Sequence, residues 1–295
     1  MTQPQNKELM VVSGAATGIG AATAQQLASR GFHVLAGVRT DEEAEAIRAD
    51  GVEPVMLDIT VPRHIEALAQ RIADDPEQRG LRALINNAGI EINAPIEVLP
   101  LELWREQFEV NLFGHIAVIQ KLLPFLRQSR GRIVNISSVG GVAALPIFGA
   151  YAGTKFALEA ASDALRREVK AQGIQVVVVQ AGGVKTEMAA HSGEISLGFA
   201  DKMSPEHERL YGNLIRSTVA SNTAFLKRAV PAEKAAAKIA NVATKARPRT
   251  RYTLGMDAAF TVPLARHLPD RLMDNVLAAS HRSQRNTHAR RLDGA

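Results

Sequence analysis

The chain has 295 residues, 46% of them hydrophobic and 22% charged, with a formal net charge of +5; that is enough apolar material for the core of one α/β domain. Without a single cysteine, disulfides and thiolate metal sites are excluded, and a reducing, cytoplasmic setting is the expectation. No apolar run suits a bilayer span, the first residues lack a secretory apolar stretch, and the histidines have no metal-ligand spacing, so no metal is expected.

Taken in chain order, LMVVS (9–13), HVLAGV (33–38), VEPVMLD (52–58), LRALINN (81–87), RIVNIS (132–137) and IQVVVVQ (174–180) read as buried strands, separated by alanine- and charge-rich segments of helical period. Continuous apolar strands alternating with helices predict a Rossmann-type, doubly wound parallel sheet with helices on both faces. RYTL (251–254) predicts an edge strand. No repeat or linker divides the chain, so one domain over residues 1–280 is expected. Residues 187–230 break the alternation with Gly193, Gly198 and Pro205 before a helical stretch from Glu206 towards Leu226. An insertion after a strand's carboxyl end is where a substrate lid would sit. Its Met188, Ala189, Ile195, Leu197 and Phe199 suit a small lipophilic substrate, and His191 reads as a surface loop histidine. The stretch 257–279 predicts two short helices split by Pro269. The tail 281–295 carries Arg282, Arg285, Arg290 and Arg291 against Asp293 and reads as a disordered, solvated terminus, not a nucleic-acid surface.

The first strand runs into SGAATGIG, with Gly14, Gly18 and Gly20 around Thr17 and Ile19. A strand, a glycine turn and a helix N-terminus together make an anion site, because backbone N–H groups and the helix dipole can approach a pyrophosphate. The second strand ends in Gly37-Val38-Arg39-Thr40. An acidic side chain for a ribose 2′-hydroxyl is missing there, whereas Arg39 and Thr40 suit a 2′-phosphate, so NADP(H) is favoured over NAD(H). Asp58, followed by Ile59, suits either the adenine amino group or a turn cap.

YAGTK places Tyr151 and Lys155 four residues apart, on one helix face. A cationic neighbour is expected to lower the phenol's pKa, which would fit Tyr151 for proton transfer. Ser137 and Ser138 end the fifth strand, at the sheet edge where such folds hold ligands.

Together these stretches resemble the short-chain dehydrogenase/reductase family over residues 8–187. SGAATGIG resembles its cofactor glycine motif, with Ser13 where threonine is usual. INNAG resembles its fourth-strand motif and implies cofactor-side roles for Asn87, Ala88 and Gly89. NLFG supplies Asn111, matching the helix asparagine that bridges a relay water to the active-site lysine. NISS matches with Ser138 as the catalytic serine. YAGTK matches the tyrosine–lysine signature, whose lysine also holds the nicotinamide ribose. QAGGVKT resembles the stretch that places Gly182, Val184 and Thr186 against the nicotinamide, although Ala181 stands where proline is usual. The resemblance implies an NAD(P)(H)-dependent oxidoreductase that interconverts an alcohol and a ketone or aldehyde by hydride transfer, with Asn111, Ser138, Tyr151 and Lys155 as catalytic tetrad and Tyr151 as general acid/base. The C-terminal stretch RPRTRYTLGMDAAFTVPLARHLPDRL is similar to members acting on steroids and retinoids. Pairing through the helix after Tyr151 and the helix of Asn111 implies a homodimer or homotetramer. Two other readings share the fold: a non-catalytic nucleotide sensor or scaffold, and an NADP-dependent epimerase or dehydratase.

Overall fold

The computed structural model describes residues 8–275; the basic tail expected at 281–295 lies outside them. Seven strands form one parallel sheet: β1 (Leu9–Val12), β2 (His33–Val38), β3 (Val52–Met56), β4 (Leu81–Asn86), β5 (Arg132–Ser138), β6 (Gln175–Ala181) and, at the edge, the strand Arg251–Leu254. Two residue pairs, β7 (Val184–Lys185) and β8 (Val230–Pro231), form a separate parallel ladder, which makes the edge strand β9. The sheet order is β3-β2-β1-β4-β5-β6-β9. The chain winds outward from β1 to β3, returns to β4, and winds the other way, so the order reverses between β1 and β4. Ligands of open α/β sheets sit at the strands' carboxyl ends beside such a reversal.

Alternate residues of a strand point to opposite faces, and both faces here are covered. Met10, Val12, Val34, Ala36, Ile85 and Val177 pack against α1 (Gly18–Ala28) and α10 (Ala232–Thr244). Leu9, Val11, Leu35, Leu84 and Ile133 pack against α3 (Pro62–Ala73) and α5 (His115–Ser129). The short α2 (Asp41–Ile47) joins β2 to β3. Between β4 and β5, α4 (Leu101–Phe108) runs through a π turn, Glu109–Gly114, into α5. The long α6 (Gly149–Glu168) follows β5.

In the lid expected over residues 187–230, the first part, where His191 reads as a loop residue, is instead mostly helix. α7 (Glu187–Lys202) starts where the Thr186 hydroxyl accepts a hydrogen bond from the Ala189 N–H, with Glu187 in the first turn. Gly193 and Gly198 each weaken a helix by about 1 kcal/mol relative to alanine. Tertiary packing overrides that cost: Ser192, Ser196 and Ala200, one turn apart, are all buried. His191 is therefore on a helix, exposed, 3.3 Å from Glu194. The one-turn α8 (Pro205–His207) and a second π turn, Glu208–Gly212, lead into α9 (Asn213–Leu226). After β9, α11 (Met256–His267) ends just before the break foreseen at Pro269, beyond which the chain is helical again.

Candidate active site

The glycine turn lies over the carboxyl end of β1. Gly14 has φ +61°, and a Cβ there would sit 2.7 Å from the Ala88 Cα. A Cβ on Gly20 would sit 2.0 Å from the Gly14 carbonyl oxygen. Only glycine allows the turn to close this tightly. Thr17 caps α1 by backbone conformation alone, with no side-chain hydrogen bond, and the first turn of α1 holds no acidic residue. The N–H groups at Gly18, Ile19 and Gly20 thus face no competing side chain. That is the donor set a pyrophosphate needs, and the tight glycine turn leaves room for one to approach the backbone.

At the adenosine end, Arg39 is two-thirds exposed and its guanidinium is 3.9 Å from Glu43. Its backbone N–H donates to the Glu43 carboxylate at 2.7 Å. The Thr40 hydroxyl already accepts from the Glu43 N–H, capping α2. Asp58 uses Oδ1 to accept from the N–H and hydroxyl of Thr60, at 2.9 and 2.7 Å. Burial opposes its ionisation, but these bonds and the charges of Arg39 and His64 hold its carboxyl below the usual range. Ile59 turns its side chain into the core, where Gly114 leaves room for it.

Between the two halves of the sheet, the Ser13 hydroxyl accepts from the N–H groups of Asn87 and Ala88 at 3.0 and 3.1 Å. The Asn87 side chain donates to the carbonyls of Ser13 and Gly14 at 3.1 and 2.9 Å. The glycine turn is thereby bolted to the end of β4. Behind it, buried His115 lies 2.9 Å from the Ala88 carbonyl oxygen.

Two amide side chains then grip the loop after Gly89. Asn111, in the π turn, accepts from the Ile90 N–H at 2.9 Å and donates to its carbonyl at 2.8 Å. Gln107 makes the same reciprocal pair with Ile92, both bonds at 3.0 Å. Asn111 also donates to the Thr154 hydroxyl on α6 at 3.2 Å. Its side chain is fully committed to the Ile90 backbone and the Thr154 hydroxyl.

Tyr151 lies in the first turn of α6 and Lys155 one turn later, with the ammonium 5.7 Å from the centre of the phenol ring. Lys155 Nζ donates to the Ile136 carbonyl at 3.0 Å. Ser138 ends β5, its hydroxyl accepting from the Gly140 N–H at 3.0 Å. The electrostatics correct one expectation. Burial, reinforced by the negative charge of Glu91, pushes the Tyr151 phenol up rather than down, and a hydrogen bond with Ser138 only partly opposes this. Burial also pulls the Lys155 ammonium down to about 8, with Glu91 working the other way. Glu91 escaped the sequence reading; its only signal was an acid two residues beyond INNAG.

The far wall is the loop after β6. The Gly182 N–H donates to the Leu254 carbonyl at 2.8 Å, and the Gly183 N–H donates to the Asp257 carboxylate at 2.9 Å. Asp257, in the first turn of α11, thus steadies a loop that lacks the usual proline at Ala181. A Cβ on Gly182 would overlap that carboxylate at 2.0 Å. Val184 is buried in the β7–β8 ladder, and the Thr186 side chain reaches across to Gly18.

These walls enclose a cavity of about 450 Å³ that brings together Ile19, Ser138, Tyr151, Lys155, Gly182 and Thr186. Asn87, Gly89 and Val184 also line it. Asn111, Gly14, Thr17, Gly18, Gly20, Arg39, Thr40 and Asp58 do not line it. Its remaining wall is largely apolar, including Leu145, Phe148, Met188 and Phe225.

Residues 8–195 match the short chain dehydrogenase family profile. The chain is 34% identical over 285 residues to dehydrogenase/reductase SDR family member 9 of Bos taurus, covering 90% of this chain and 86% of that protein. It is 36% identical over 280 residues to 17-beta-hydroxysteroid dehydrogenase type 6 of Mus musculus, covering 91% and 87%. It is 30% identical over 276 residues to an NADPH-dependent 3-dehydrocapnine reductase of Ornithobacterium rhinotracheale, covering 90% and 94%. A crystal structure of a short-chain dehydrogenase from Streptomyces avermitilis superposes with a TM-score of 0.72 at 25% identity, over 97% of this chain and 99% of that one. The scaffold and epimerase readings give way to these relationships. With its glycine turn, doubly wound sheet and tyrosine–lysine pair on one cavity, the chain belongs to the short-chain dehydrogenase/reductase family and is an NAD(P)-dependent oxidoreductase acting on alcohols and ketones.

Proposed function

We propose that Tyr151 is the general acid/base of this oxidoreductase and that the cavity accepts a small lipophilic alcohol or ketone. The observation that carries this reading is the convergence of Ser138, Tyr151 and Lys155 on one largely apolar cavity beside the glycine turn. A bound nicotinamide dinucleotide supplies or accepts the hydride. Tyr151 gives its hydroxyl proton to the carbonyl oxygen in reduction and takes the alcohol proton in oxidation. Ser138 hydrogen-bonds the oxygen on which charge develops. Lys155, one turn along α6, holds positive charge near the phenol and would hold the nicotinamide ribose of a bound cofactor. Asn111 is a positioning residue: it fixes the Gly89–Glu91 loop against α6. Helices α7 and α9 act as the lid, since Met188, Ala189, Asn222 and Phe225 all face the cavity.

Tyr151→Phe should lower kcat at least about 1000-fold, with cofactor affinity, read by fluorescence titration, changed less than about three-fold. A variant with near-normal turnover would remove Tyr151 from this role.

For the cofactor we propose NADP(H). Arg39 is exposed, and β2 runs out through Val38 and Arg39 with no acidic residue at its end, the nearby Glu43 being engaged by the Arg39 N–H; one relative is named as NADPH-dependent. Parallel kinetics should give a kcat/KM for NADPH at least about ten-fold above that for NADH, with Arg39→Ser closing the gap. Equal use of both cofactors by the unmodified chain would overturn the preference.

A further inference from the structure

One ionisable group on the cavity wall has no part in the proton transfer described above: Glu91. Its backbone is unusually well fixed, because its two neighbours are each gripped at both N–H and carbonyl, Ile90 by Asn111 and Ile92 by Gln107. Its side chain is aimed as carefully. Oε1 accepts from the Asn93 amide at 2.7 Å and from the Ser192 hydroxyl of α7 at 3.0 Å. Ser196, one turn further along α7, donates to the Asn93 carbonyl at 2.9 Å. Oε2 takes no hydrogen bond, and no cation lies within ion-pair distance of either oxygen among the described residues. Lys155 is near enough to be felt but is turned to the Ile136 carbonyl.

Glu91 is only half-buried, and a carboxylate part-way out of water is costly unless a charge or several donors meet it. Holding α7 in place does not require one. An amide oxygen would accept from Asn93 and Ser192 equally well, so inside the folded chain the charge acts only at a distance, on Lys155 and Tyr151, and meets no partner in contact. The other carboxylate on this wall, Asp257, is already occupied by the Gly183 N–H. The rest of the wall offers Leu145, Phe148, Met188, Phe225 and Leu226 to a hydrocarbon.

We propose that Glu91 is the substrate-selecting residue of this cavity: it pairs with the ammonium of a lipophilic amino alcohol or amino ketone whose reacting carbon lies at Tyr151. The proposal rests on the oxidoreductase reading above and adds the substrate class. An ammonium next to the carbinol carbon would supply the missing counter-charge while the tail lies on the apolar wall.

Two measurements on the full-length protein separate this from its alternatives. The first needs no turnover: calorimetric titration with octylamine hydrochloride and with octanol, in the presence of NADP⁺. The unmodified protein should bind the amine roughly 10- to 100-fold more tightly than the alcohol, and Glu91→Gln should bring the two together. The second compares kcat/KM for a vicinal amino alcohol with an undecyl tail and for the alcohol in which methyl replaces the amine. Their ratio should favour the amine and fall by a similar factor in Glu91→Gln, while Glu91→Asp, which keeps the charge, should retain a preference for the amine. A ratio unchanged by Glu91→Gln, or a native preference for the methyl compound, overturns the proposal. If the methyl compound is oxidised in a Tyr151-dependent way without amine selectivity, the catalytic reading stands and this inference falls. If octylamine binds through Glu91 yet no alcohol is turned over, the catalytic reading falls and the binding site stands.

Discussion

His115 opens α5 wholly buried, with one ring nitrogen at the Ala88 carbonyl and the other, Nδ1, without a partner. A carbonyl only accepts, so Nε2 carries the hydrogen and the ring is neutral. Burial first, and the charge of Lys155 second, pull its pKa to about 3. In the unfolded chain an imidazole titrates near 6.5, so between those values the unfolded state binds the extra proton. Stability is therefore complete above about pH 6.5 and is lost as pH falls towards 3. Between pH 6.5 and 5 the loss should approach about 2 kcal/mol. His115→Asn, which keeps a donor for Ala88, should flatten that part of a pH series of denaturant melts; an unchanged slope would mean that His115 is not the titrating group. Residues of this kind divide sharply in legibility. Tyr151, Lys155 and the glycines announce themselves because their spacing along the chain is itself the chemistry. Glu91 does not, because what makes it notable is Ser192, 101 positions away.

Among the elements, the loop Ala181–Val184 shows how a missing residue type can be replaced from elsewhere. Proline would stiffen it locally; here α11 supplies Asp257 and β9 supplies the Leu254 carbonyl. Asp257→Ala would leave the Gly183 N–H without its acceptor, costing about 1–3 kcal/mol of loop order. The expected result is a roughly ten-fold fall in kcat, with Asp257→Asn, whose amide oxygen still accepts, within about three-fold of the unmodified enzyme. Steady-state kinetics on both variants would decide it, and a native kcat in Asp257→Ala would rule out the loop-holding role. Six strands of the main sheet were legible as apolar runs, since buried parallel strands are apolar on both sides, and the edge strand RYTL was legible only as a short alternation. Helix α7 was obscured by two glycines whose cost is outweighed by contacts with distant residues. The ladder of β7 and β8 is two residues per strand, too short for any periodicity to register.

For the molecule as a whole, we propose a homodimer or homotetramer built on the outer face of α6. Phe156, Ala160 and Ala164 follow one another at four-residue intervals on exposed positions, and Phe113 of the neighbouring π turn is half exposed. One large residue and two small ones along a helix allow a second helix to approach closely. Light scattering at micromolar concentration should give at least twice the chain mass of 31.7 kDa, and Phe113→Glu with Phe156→Glu should reduce it to the monomer. A monomeric unmodified chain would end the proposal. No helix among the described residues is long and apolar enough to cross a membrane.

Gln107 and Asn111, four positions apart on one continuous helical run, hold the backbone on either side of residue 91 without touching its side chain. Shape and content are thereby largely separated at that point: the backbone frame belongs to the amides, and the side chain adds only its bonds to Asn93 and Ser192. On the proposal above, position 91 is a socket, where a replacement that still accepts from those two residues would alter which molecule the enzyme prefers, and a laboratory seeking new specificities from this chain has there its first site to vary.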